Sequence, residues 1–243
     1  MGRTRIVFAL YIVTIHLLLI AAVVKSDFVA NVGKTLGLLP PEEFNGDYYR
    51  LTVQSALKDR DTPAGAVLLF GDSILASLDA QRISGTAINQ GVVGDTARSL
   101  KYRLPLYQAI DRAKTIVIMV GTNDLKYREP ATIGTDFVDL LAALPASKPK
   151  MVGAILPVDG NNLLVRQRPW LTNSRIEAAN RAISRACDQV ADCKFFDVRD
   201  RTAAYFPDNP AMFRADGWHL SYVGRRLLED FLAGGLKENH PQD

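Results

Sequence analysis

The chain has 243 residues, 48% hydrophobic and 23% charged, an ordinary globular balance with ample material for a core. Lys and Arg number 29 against 26 Asp and Glu, a net charge of +3, and there are three histidines. With no dense basic stripe interleaved with aromatics, the composition argues against a nucleic-acid partner. Three histidines are too few for an elaborate His-rich metal site.

Arg3 and Arg5 precede "IVFALYIVTIHLLLIAAVV", residues 6–24, a run without a charged side chain. As a helix it would span about 28 Å, close to the thickness of bilayer hydrocarbon. The positive flank should stay cytoplasmic, which places the rest of the chain outside the cytoplasm, in a periplasm or beyond. A retained transmembrane anchor in the inner membrane is the reading the length favours. A cleaved signal peptide is its rival, although signal apolar regions are shorter and residues 24–26, Val-Lys-Ser, make a poor cleavage site. The expected organisation is an anchor or signal at 1–26, a linker with a short amphipathic helix at 27–62, one domain at 63–237 and a tail at 238–243. About 215 residues beyond the N-terminal segment suit one domain.

From residue 66 onward, strands and helices alternate. "AVLLF" (66–70), "TAIN" (86–89), "TIVIMV" (115–120), "MVGAIL" (151–156) and "KFFDV" (194–198) read as short buried strands. Between them, "ARSLKYRLPLYQAI" is helical but broken at Pro105, and "TDFVDLLAAL" is helical. "SRIEAANRAISRACDQV" (174–190) repeats apolar residues every three to four positions. Ser174 with Glu177 reads there as a capping box. A last helix begins near Ser221 and is expected to stop at Gly234-Gly235. Alternation of this kind predicts a layered α/β domain on about five mostly parallel strands. Cys187 and Cys193 flank a turn between helix and strand, and an exported domain permits a disulfide between them.

In such sheets function gathers beyond the C-terminal strand ends. Four segments lie there: "GDS" (71–73), "GVVGDT" (91–96), "GTND" (121–124) and "DGWH" (216–219). Each alone reads as turn chemistry. Together they hold the parts of a nucleophilic site. Ser73 needs a base to take its proton, and His219 supplies one. Asp216, three residues before it, can orient and stabilise the ring. An oxyanion hole would draw on the Ser73 and Gly94 N–H groups and the Asn123 side-chain amide.

On these four blocks the sequence resembles the SGNH hydrolases, the GDSL-type esterase and lipase superfamily. "INQGVVGDTARSLKYRL" looks like the branch containing platelet-activating-factor acetylhydrolase subunits and small bacterial esterases. Ile74 stands where the family name has Leu. The resemblance covers residues 64–233 and implies a three-layer α/β/α, flavodoxin-like doubly wound sheet. It implies an ester hydrolase that works through an acyl-serine with no cofactor and no metal. It also implies structural hydrogen bonding for Asp72 and Asp124. Asp95 and Thr96, beside Gly94, are expected to shape the turn that holds it.

"PVDGNNLLVRQRPWLTN" (157–173) is a long loop at the same edge of the sheet. Trp170, Arg166 and Arg168 are candidates to contact a glycan or an anionic headgroup; the alternative is a solvated loop with Trp170 pinned to the domain. The expected substrate is a small acyl ester or an O-acetylated glycan. A longer acyl chain (a lysophospholipid or thioester), acyl transfer to a sugar, and a non-catalytic membrane-tethered module remain alternatives. Oligomeric state is left open.

Overall fold

The computed structural model describes residues 46–197, 206 and 209–239, together with 8, 11–16, 19 and 44. The chain divides between Asn45 and Gly46. Most of the 6–24 run lies outside the described residues; among the described ones, no helix is long and apolar enough to cross a membrane.

Five strands form one parallel sheet: β1 (Val67–Gly71), β2 (Ala87–Asn89), β3 (Thr115–Met119), β4 (Lys150–Gly153) and β5 (Cys193–Phe196). Their order is β2-β1-β3-β4-β5. This is the flavodoxin-like doubly wound order, whose switch point lies between β1 and β3. Alternate strand residues feed two cores. Leu68, Phe70, Ile116, Ile118 and Val152 point to one face. There they meet α2 (Ala97–Arg103), α3 (Pro130–Ala142) and α4 (Asn173–Cys187) through Leu100, Phe137 and Ile183. Val67, Leu69, Val117 and Met119 point to the other, against Leu228, Leu232 and Leu236 of α5 (Tyr222–Asn239). Period-two alternation under a helix layer on each side makes the three-layer sandwich.

Several local expectations change. The helix expected in the linker is α1 (Gly46–Asp59), and it belongs to the domain. Tyr48 donates to Asp95, Ser55 donates to Gln90, and Asp59 accepts from the Ala109 N–H. The cap of α4 is Thr172, which accepts from the Arg175 N–H, in place of Ser174. The reason is Asn173, whose side chain exchanges two hydrogen bonds with the Val158 backbone and fixes where the helix enters. A capping box forms instead at α2, between Thr96 and Ser99. Gly234-Gly235 does not end α5, which continues to Asn239. A Cβ on Gly235 would lie 2.7 Å from the Phe196 ring, so this glycine serves close helix–sheet packing. Pro105 ends α2 as expected, and a 3-10 turn, Leu104–Leu106, follows. Cys187 and Cys193 are joined by a disulfide that links α4 to β5, with Cα atoms 5.4 Å apart.

Candidate active site

The edge beyond β1 and β3 gathers the chemistry. Gly71 ends β1 against its neighbour: a Cβ there would lie 2.2 Å from the Met119 carbonyl oxygen. Close strand packing, more than a special backbone angle, therefore calls for glycine. Asp72 caps the short turn Ser73–Ala76 by accepting from the Ile74 N–H at 2.9 Å. Ser73 is left half-buried at the first position of that turn.

Ser73 Oγ lies 2.9 Å from His219 Nε2. His219 Nδ1 lies 2.8 Å from Asp216 Oδ2. Asp216 Oδ1 accepts the His219 and Trp218 backbone N–H groups at 2.9 and 3.1 Å. Burial raises the Asp216 pKa, but these hydrogen bonds outweigh it and hold the carboxyl below the usual range. The carboxylate thus grips both the ring and the backbone that carries it. A hydroxyl on an imidazole whose other nitrogen meets a carboxylate is the arrangement that makes serine nucleophilic.

Gly94 has φ +85°, with open space where a Cβ would stand. Left-handed backbone, which glycine adopts without strain, decides this position. Asn123 donates its side-chain amide to the Asp95 carbonyl at 3.0 Å, tying the loop after β3 to the loop after β2. Asp124 accepts the Ala97 N–H with both carboxylate oxygens, at 3.1 and 3.2 Å. Ser73, Gly94, Asn123, Asp216 and His219 are all partly exposed, whereas Asp72, Asp95 and Asp124 beside them are buried.

The long loop 157–173 does not gather its three candidates in one place. The Arg168 guanidinium lies 4.5 Å from the centre of the Trp218 ring, beside His219. Trp170 packs against the core and lines a separate cavity of about 410 Å³ with Tyr127, Arg128 and Arg175. Arg166 ends the short turn Leu163–Arg166 and is exposed. Two residues the sequence reading passed over brace the His219 loop. Asp159 donates its N–H to the Gly217 carbonyl at 2.9 Å. Asn162 donates its side-chain amide to the Ala215 carbonyl at 3.1 Å while capping the Leu163 turn. Gly217, at φ +84°, has no room for a Cβ because Asn162 fills the space. "DGNN" signalled a turn, but nothing in it indicated which loop it would meet. Among the described residues, no group of three or more His, Cys, Asp or Glu side chains could hold a metal ion.

With a serine–histidine–aspartate arrangement at the switch point of a flavodoxin-like sheet, the chain has the layout of a serine hydrolase. Residues 69–227 match the model of the GDSL-like lipase/acylhydrolase family, and the chain belongs to that family. It is an ester hydrolase. Solved structures share the fold. One is a Streptococcus pneumonia protein named for platelet activating factor (TM-score 0.69, 18% identity, covering 87% of this chain and all of that one). Another is a lipase/acylhydrolase from Enterococcus faecalis (TM-score 0.61, 23% identity, 72% and 96% covered). A third is a carbohydrate esterase family 3 protein from Talaromyces cellulolyticus (TM-score 0.53, 20% identity, 72% and 97% covered). No curated protein matches the sequence.

Proposed function

We propose that Ser73 attacks the ester carbonyl, that His219 takes and returns the proton, and that Asp216 holds the ring and stabilises the imidazolium. The single observation that carries this reading is the relay from Ser73 through His219 to Asp216, at 2.9 and 2.8 Å. The first tetrahedral intermediate expels the alcohol, which leaves with the proton from His219. Water, activated by the same ring, then releases the acid from the acyl-serine. Oxyanion stabilisation falls to the Ser73 and Gly94 N–H groups and the Asn123 amide.

The substrate we favour is a short acyl group, O-acetyl above all, on an envelope or extracellular glycan. Support comes from the fold shared with a carbohydrate esterase and from the charge-free run at 6–24 behind Arg3 and Arg5. In this reading the run anchors the domain on the outer side of the inner membrane. Arg168, stacked on the ring of Trp218, the residue before His219, then contacts the alcohol portion of the substrate. The same anchor would also hold the site near lipid, which keeps a long-acyl substrate as the second reading.

Purified protein should hydrolyse p-nitrophenyl acetate, and Ser73→Ala should abolish turnover. Wild-type rates in Ser73→Ala would remove Ser73 as nucleophile. A panel from acetyl to octanoyl esters separates the two substrates: a preference for acetyl supports the glycan reading, and a steep climb with chain length supports the lipid reading.

A further inference from the structure

Helix α1 is built inside out. Tyr48, Thr52, Ser55 and Asp59 are buried, whereas Tyr49, Val53 and Leu57 are exposed. A surface helix ordinarily turns its apolar stripe inward, so this polar face answers to what it covers. Beneath it lies the Asp95–Arg103 ion pair, 2.7 Å long, with both side chains sealed from solvent. Such a pair is costly unless its remaining donors and acceptors are filled. Asp95 also accepts from Arg103 Nε at 3.0 Å, the Ser99 hydroxyl at 2.7 Å and the Tyr48 hydroxyl at 3.0 Å. Arg103 donates to the Gln90 carbonyl at 2.9 Å and to the Tyr107 hydroxyl. Tyr107 donates to Ser55 at 3.0 Å, and Ser55 donates to Gln90 Oε1 at 2.7 Å.

This network closes around one loop. Arg103 grips it at Gln90 and again at Asp95, and Gly94 lies between the two. The Asp95 carbonyl is also the acceptor that holds the Asn123 amide. Asp95 therefore stands next to one proposed oxyanion donor in sequence and anchors the other by hydrogen bond. We propose that Arg103, acting through Asp95, is a positioning residue for Gly94 and Asn123. The proposal rests on the hydrolase reading above. A guanidinium suits the task because its planar fork meets a carboxylate and a distant carbonyl at once, which an ammonium cannot do in the same geometry. Oxyanion donors must be held within about 0.5 Å of their productive place, so loosening this loop should weaken binding of the transition state more than binding of the ester.

The test uses the full chain with p-nitrophenyl acetate, and phenylboronic acid as a tetrahedral mimic at Ser73. Arg103→Lys should lower kcat by roughly 10–100-fold, short of the 10²–10³ lost with a whole donor. KM should move less than about threefold, and boronate affinity should fall in proportion to kcat. Tyr48→Phe, which removes one contact to Asp95, should shift both in the same direction by less than about tenfold. Leu140→Ala in α3 serves as the control for lost stability alone. Folded Arg103→Lys and Tyr48→Phe proteins with wild-type kcat and boronate affinity would overturn the proposal. So would equal losses in Leu140→Ala at a matched melting temperature. Wild-type turnover in Ser73→Ala would instead fail the hydrolase reading, whatever the Arg103 variants do.

Discussion

Asp72 and Asp216 are both carboxylic acids within reach of the Ser73 chemistry, yet their surroundings push them in opposite directions. Asp72 is 2% exposed. Burial, aided by the charge of Asp95, raises its pKa to about 7 despite backbone hydrogen bonds that oppose the rise. The Asp216 side chain is 25% exposed, and hydrogen bonds from His219 and Trp218 carry its pKa below the usual range. Burial without a cation favours the neutral acid; several donors at a partly wet site favour the anion. The acid hydrogen-bonded to the His219 ring is the one kept charged, and the acid that caps a turn is the one kept dry.

The largest effect should come from the charged member. Asp216→Asn keeps the shape of the side chain but loses the acceptor charge and favours the wrong imidazole tautomer. By analogy with other triads, kcat should drop by about 10³–10⁴, with KM changed far less. A loss under tenfold in steady-state kinetics would mean that Asp216 only shapes its loop. The stability linkage of Asp216 runs the other way from that of Asp72. With its folded pKa depressed, its contribution is complete above the unfolded value of 3.8 and is lost as pH falls through the folded one.

On the opposite side of the reaction, Asn123→Ala removes a neutral donor. The expected loss is about 10²–10³ in kcat, smaller than for Asp216 because the other two proposed donors, the Ser73 and Gly94 N–H groups, remain. Equal kcat in variant and wild type would exclude the amide from the oxyanion hole.

Asp72→Asn tests the dry carboxyl through stability. The native state keeps a proton between pH 3.8 and about 7 that the unfolded chain releases. Stability from Asp72 is therefore full below the unfolded value and is lost as pH rises through about 7. Asparagine retains the acceptor for the Ile74 N–H and carries no charge. Relative to wild type, the variant should gain about 2–4 kcal/mol between pH 4 and pH 8, read from urea unfolding at each pH. A difference that stays flat with pH would show that Asp72 does not change protonation in this range.

The strands were legible because buried parallel strands are short apolar runs, and Gly, Asp and Asn punctuate their ends. Ser73, Gly94, Asn123, Asp216 and His219 were legible for a related reason: each follows a strand, at the edge where an α/β sheet places function. Position along a helix was less so. Ser174 and Thr172 are equally good caps, and the choice rested on Asn173 meeting Val158, a contact 15 residues away in sequence. The Gly234-Gly235 stop failed because only the fold shows Phe196 pressed against α5. Amphipathic spacing announced α1 as a helix but not that its polar face would be the buried one. Its partners Gln90, Asp95 and Tyr107 lie 35 to 52 residues away, and no local pattern announces them.

The smallest effect should fall on the brace behind the charged member. Asn162 holds the Ala215 carbonyl and caps the Leu163 turn, but it makes no hydrogen bond to His219 or Asp216. Losing an N-cap costs about 1 kcal/mol, which for a domain of this size lowers the melting temperature by about 2–4 °C. Asn162→Ala should therefore melt slightly earlier. Its kcat should fall by less than about tenfold, because Asp216 still binds the backbone and ring of His219 directly. If its kcat instead fell as far as that of Asp216→Asn, the grip of Asp216 on His219 would not be self-sufficient, and the loop 157–173 would rank with the triad as a determinant of its geometry.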